Sequence, residues 1–82
     1  MKSISDYRQE IDMIDDEIAS LIEKRMGLSS AIGKLKKKEG KPVNDETRED
    51  EIVIRIAEGK ENGWAIAEIY QTIFKTSREL QE

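Results

Sequence analysis

Leu21-Ile22-Glu23-Lys24-Arg25-Met26-Gly27-Leu28 is the stretch whose reading decides the fold. Leu21 and Leu28 are seven residues apart, and the position between them that a helical repeat wants apolar is Arg25. Outward from there, Ile4, Tyr7, Ile11, Ile14 and Ile18 on one side and Ile32 and Leu35 on the other keep the same alternation of three and four steps. Such a seam marks one long helix packed along its length against other helices. A guanidinium in that seam is costly to bury, because it keeps its proton at any working pH. The pattern therefore predicts an anionic group opposite Arg25.

Composition narrows the class. The chain has 82 residues, 39% of them charged, one proline and few aromatics, which suits a single small all-α domain spanning residues 1–82. With no cysteine and no histidine, a disulfide framework, thiolate metal sites and the commonest general base are excluded, and neither a metal nor a cofactor is expected. A net charge of −4 with interspersed signs argues against nucleic acid as a partner. No apolar run approaches the ~20 residues that span a membrane, and no secretory h-region opens the sequence. A soluble, cytoplasmic protein is the expectation.

Three helices follow from the punctuation. Ser3 and Asp6 have the spacing of an N-terminal cap, and Gly40 followed by Pro42 stops the helix after about 36 residues. The interior glycines Gly27 and Gly33 cost that helix about 1 kcal/mol each relative to alanine. Asn44 or Asp45 caps a second helix over roughly residues 46–58, whose buried side includes Ile52, Val53, Ile56 and Ala57. A polar turn from Gly59 to Gly63 leads to a third helix from about Trp64 to the C-terminus, with Ile66, Ile69, Tyr70, Ile73 and Phe74 on one stripe. That stripe runs on through Ser77, Leu80 and Gln81, turning polar where it still points inward.

One chain cannot cover its own seam. The first helix is about 54 Å long, the other two about 20 and 27 Å. A compact globule of this size has a radius of gyration of only about 12 Å. The cheapest cover for the remaining apolar positions is the same surface of a second copy, so an intertwined, antiparallel homodimer is the leading architecture.

Several polar residues stand where that architecture points inward. Arg25 and Lys36, nearly three turns apart, project from one face, as do Ser77 and Gln81. Arg8 is about 25 Å from Arg25 along the helix, so one small ligand reaches both only if Arg8 comes from the other copy. Asp45, Arg48 and Glu49 open the second helix within one turn. Each also has a plainer reading: Arg25 sets register, Lys36 complements the helix dipole, Asp45 is a cap, and Glu49 pairs on the surface with Arg48 or Arg55. Their coincidence in one predicted pocket favours a binding site.

Taken in order, these segments resemble the small all-helical chorismate mutases of the shikimate branch point. Tyr7-Arg8-Gln9-Glu10-Ile11-Asp12 with Ile14-Asp15 is similar to that family's opening motif. Glu23-Lys24-Arg25 and Ile32-Gly33-Lys34-Leu35-Lys36 are similar to its next two segments. Pro42-Val43-Asn44-Asp45 with Arg48-Glu49, and Ser77 with Leu80-Gln81, resemble its last two. The resemblance implies a homodimer with shared active sites and the rearrangement of chorismate to prephenate in aromatic amino-acid biosynthesis. It implies that Arg8 of the other subunit and Arg25 bind the substrate's carboxylates. Lys36 would contact a carboxylate and the ether oxygen, and Gln81 would donate to that oxygen. Arg48 would help hold the anion or brace Glu49, which accepts from the substrate hydroxyl. Asp45 would approach that hydroxyl through its backbone, and Ser77 would bond a carboxylate.

A pericyclic rearrangement needs no nucleophile, metal or redox group, which agrees with a chain lacking histidine and cysteine. Two other readings compete. One is an isochorismate pyruvate lyase of the same fold. The other is a non-catalytic helical dimerisation module, which predicts no common pocket for Arg8, Lys36, Glu49 and Gln81.

Overall fold

Ser3 opens the first helix with a reciprocal cap: its hydroxyl accepts from the Asp6 amide at 3.1 Å while the Asp6 carboxylate accepts from the Ser3 amide at 2.9 Å. In the computed structural model, which describes residues 1–82, this helix, α1, runs Ile4–Glu39. Its 36 residues match the length set by the cap and Gly40. Gly40 takes a left-handed conformation (φ 71°), so its amide and that of Lys41 turn back onto the last carbonyls of the helix. The second helix, α2, is Glu46–Ala57, capped by the Asp45 carboxylate on the Arg48 amide at 3.0 Å. The third, α3, is Gly63–Gln81 and starts without a side-chain cap. There are no strands, and no helix is long and apolar enough to cross a membrane.

α3 lies against both other helices, while α1 and α2 do not pack on each other. The core sits in that angle and is small. Phe74 and Ile52 are its only buried apolar side chains, with Tyr70 edge-on to Phe74 at 5.6 Å between ring centroids. Ile66, Tyr70 and Ile73 are half-buried beside it, whereas Ile69, on the same predicted stripe, stays exposed.

The molecule is elongated, 57 × 25 × 14 Å, with a radius of gyration of 16.0 Å. The excess over a compact globule comes from α1, whose N-terminal turns project beyond α3, with Ile18, Leu21 and Ile22 only flanking an open cleft against it. There Ile4, Tyr7, Ile11, Ile14, Ile18 and Leu21 keep half or more of their surface exposed, Ile18 slightly less. The seam exists as the sequence predicts, and nothing in the chain covers it.

Candidate active site

The C-terminal half of α1, the start of α2 and the last turns of α3 enclose a cavity of about 370 Å³. Arg25, Lys36, Asp45, Arg48, Glu49, Ser77 and Gln81 all line it. Seven of the eight residues singled out from the sequence thus share one space, although they come from all three helices and the α1–α2 connector. The eighth, Arg8, stands on the exposed N-terminal half of α1 and is not among the lining residues. Leu28, Ile32, Val43, Ile52 and Phe74 supply an apolar wall.

Arg25 is half-buried. Its Nη1 donates to the Ser77 hydroxyl at 2.7 Å, and the guanidinium stands over the rings of Tyr70 and Phe74, 5.7 and 5.9 Å from their centroids. Aromatic faces attract a cation without neutralising it. That explains how the charge is tolerated in the seam while its capacity to bind an anion remains. Ser77 is buried and also accepts from Ser29 Oγ at 3.2 Å. Its own proton points at the Met26 sulfur, 3.6 Å away and a weak acceptor. The hydroxyl is fixed in place with its proton poorly used.

Lys36 turns inward from a run of exposed lysines. Its ammonium donates at 2.9 Å to the Val43 carbonyl and at 2.9 Å to Gln81 Oε1. An ammonium only donates, so the Gln81 amide must present its oxygen to Lys36 and its NH₂ elsewhere. With two protons used, the third Lys36 N–H and the Gln81 NH₂ form an adjacent pair of donors, one cationic and one neutral. The final turn of α3 is further tied to α1 by a bond from Lys37 Nζ to the Glu82 carbonyl.

Glu49 is braced, but not by its neighbour. Arg78 Nη1 meets Glu49 Oε2 at 2.5 Å, joining α3 to α2, whereas Arg48 reaches Glu51 at 3.8 Å and is mostly exposed. Of the two roles the resemblance gave Arg48, bracing Glu49 therefore falls to Arg78. Asp45 is engaged as the α2 cap, so its carboxylate faces its own helix. Four cations line the cavity against two carboxylates, in a chain whose net charge is −4. No carboxylate pairs with Arg25 or Lys36.

Sequence reasoning missed Arg78 and Ser29, and it placed Tyr70 and Phe74 on the inward stripe of the third helix without their position beneath Arg25. Each had a signal in the helical repeat. Arg78 is one turn after Phe74, and Ser29 is one turn after Arg25, so both continue a face already known to point inward. No group of three or more acidic, imidazole or thiol side chains comes together that could hold a metal ion.

Three helices that frame a cation-rich pocket with an apolar wall define an all-α protein whose candidate site draws on all three helices from Arg25 to Gln81. Residues 7–82 match the family described as chorismate mutase type II, and the chain belongs to it. It is 39% identical over 56 residues to a bifunctional chorismate mutase/prephenate dehydratase of Aquifex aeolicus, covering 68% of this chain and 16% of that protein. It is 41% identical over 49 residues to the T-protein of Haemophilus influenzae, covering 60% of this chain and 13% of that one. The chain thus spans less than a fifth of the length of these curated relatives. Among solved structures, a conserved hypothetical protein from Pyrococcus furiosus is 35% identical with a TM-score of 0.85, covering 100% of this chain and 99% of that one.

Proposed function

We propose that this chain is a cytoplasmic chorismate mutase that works as an antiparallel homodimer, each site completed by Arg8 of the partner copy. One observation carries the reading: Arg25 and Lys36 face a cavity with an apolar wall and have no carboxylate partner of their own. Such a site is suited to an anion with apolar carbon framework, and with Arg8 added it matches a dianion.

The second copy is argued from burial. Only six of 82 residues are buried, two of them apolar, which is too little core for an independent small domain. A two-fold pairing of α1 helices lays the uncovered N-terminal half of one against the C-terminal half of the other. It covers both seams at once and carries Arg8 toward the partner's cavity.

Catalysis follows from the donor arrangement. Arg25 and the incoming Arg8 grip the two carboxylates through planar, bidentate bonds and hold the flexible substrate in its folded conformer. Ser77 turns its proton from the Met26 sulfur to a carboxylate. As the ether C–O bond breaks and the new C–C bond forms, negative charge grows on the ether oxygen. The free proton of Lys36 and the Gln81 NH₂ meet it there, preset by their mutual bond. Glu49, fixed by Arg78, accepts from the substrate hydroxyl. A million-fold acceleration requires about 8 kcal/mol of such differential stabilisation.

A non-catalytic dimerisation module is disfavoured because Lys36, Glu49 and Gln81 share one pocket. The test is to follow chorismate disappearance in the ultraviolet with purified protein and to identify the product. Prephenate formation is expected. Pyruvate released from isochorismate, with chorismate untouched, would instead assign the lyase reaction. No turnover of either would leave the module reading.

A further inference from the structure

Gln81 is the last residue of α3, and helix ends fray. Its amide nonetheless sits on Lys36. The reason lies on the facing helix. Gly33 is buried about two turns before the end of α1. A methyl group there would stand 2.5 Å from Gln81 Cα, 2.7 Å from its carbonyl oxygen and 3.0 Å from its carbonyl carbon. These are backbone atoms, which cannot swing aside as the tip of a flexible side chain does. The two helices touch again one turn earlier on each, where Ser29 meets Ser77. Gly27, on the same helix, has nothing within 4 Å of the corresponding position.

We propose that Gly33 is a positioning residue for Gln81: its bare backbone is the seat on which the last turn of α3 rests, and this seat sets how far the Gln81 amide enters the cavity. The inference rests on the role given above to Gln81. Any side chain at position 33 lifts the Gln81 backbone away from α1. It then separates Gln81 Oε1 from Lys36, and the two donors no longer converge on one oxygen. A misplacement of about 1 Å is enough to cost a catalytic contact.

The experiment compares Gly33→Ala, Gly27→Ala, Gln81→Ala and the double variant Gly33→Ala/Gln81→Ala in the full chain. Gly33→Ala should lower kcat for chorismate by about tenfold or more while KM changes by less than about threefold, the split expected when a transition-state contact is lost. Gly27→Ala should stay within about twofold of the unmodified protein, because the same methyl meets nothing there. In the Gln81→Ala background, Gly33→Ala should cost less than about twofold, since the contact it disturbs is already gone. Amide exchange over residues 78–82 should accelerate in Gly33→Ala alone, with Ile52 and Phe74 still protected.

Unchanged kcat in Gly33→Ala, equal losses at Gly33 and Gly27, or an equal loss with and without Gln81 would each overturn the proposal. So would exchange that accelerates throughout the core, which would make Gly33 a determinant of the whole fold. If the unmodified protein turns over no chorismate, the functional reading has failed, and the exchange experiment alone then decides whether Gly33 seats the final turn.

Discussion

Between Ile4 and Lys24 every residue of α1 is exposed, whereas between Arg25 and Lys36 the same helix carries two buried residues, Ser29 and Gly33, and four half-buried ones. The spacing of apolar positions does not change between these halves. What changes is the neighbour: α3 packs on the second half and reaches back only to a shared apolar cleft at Ile18, Leu21 and Ile22, and no other helix lies on α1 before that point. The side chains respond accordingly. The covered half has a serine, a glycine and two inward cations on its packed face, small enough or charged enough to make room for a ligand. The other half carries isoleucines with Tyr7 and Leu21 along its seam, and one arginine, Arg8. The apolar seam itself stays bare in both halves, with Leu28, Ile32 and Leu35 as exposed as Ile11 and Ile14, because α3 packs on the adjacent face of Ser29 and Gly33.

The comparison can be broken most severely at the uncovered half. Ile14→Asp places a charge in the bare seam, far from the cavity lining. If a second copy covers that half, the variant should lose dimerisation, most of its helix content and essentially all activity. Burial of one such side chain is worth about 1.5–3 kcal/mol before the charge is counted, and the symmetry applies it twice. Sedimentation equilibrium and far-ultraviolet dichroism give the readout. An unmodified protein that sediments as a monomer of normal stability, independent of concentration, would end the dimer reading.

A second test asks whether the halves meet in one site. Arg8→Ala and Arg25→Ala should each lower kcat/KM by about 10²–10³, the scale of losing a preorganised charged donor. Mixed and allowed to exchange subunits, the two inactive proteins should regain activity, because one of the two heterodimer sites keeps both arginines. Confirmed exchange without recovery would place Arg8 outside the site.

The smallest effect is expected at the tip of the uncovered half. Hydrogen bonding from the Ser3 backbone, and then from its side chain, holds the Asp6 carboxyl below its ordinary value. A lowered carboxyl adds stability above its unfolded pKa and loses it as pH falls through the folded one. The unmodified protein should therefore show a small acid-dependent drop in melting temperature below about pH 4, and Asp6→Asn should lack that component. At neutral pH the variant should fray the first turn slightly and leave kcat unchanged.

Much of this molecule was legible in its sequence. The bounds of α1 follow from Ser3, Asp6 and Gly40, and the start of α2 from Asp45. Of the seven lining positions, Arg25, Lys36, Ser77 and Gln81 fall on faces that helical spacing predicts, while Asp45, Arg48 and Glu49 stood out only as polar groups opening α2. What was hidden depends on how α3 crosses α1 and α2. The crossing puts Arg78 rather than Arg48 on Glu49, slides aromatic rings under Arg25, and presses Gln81 onto Gly33. The repeat tells which way these residues face but not whom they meet, because each contact pairs residues 29 to 52 positions apart through the angle between helices. Ile69 shows the same limit from the other side: its spacing points inward, and the crossing leaves it exposed.

The part played by α3 has a kinetic consequence. Within one chain every helix-to-helix contact is made by α3, and α1 and α2 share only their connector. Helical turns in α1 can form within about a microsecond. The bonds from Arg25 to Ser77 and from Lys36 to Gln81 must wait until 52 and 45 residues, respectively, are closed into loops. The slow, non-local step of folding and the assembly of the cavity are thus one event. Detaching α3 removes the small core and the site together, so the chain has no route to a folded form that keeps its helices packed and lacks its pocket.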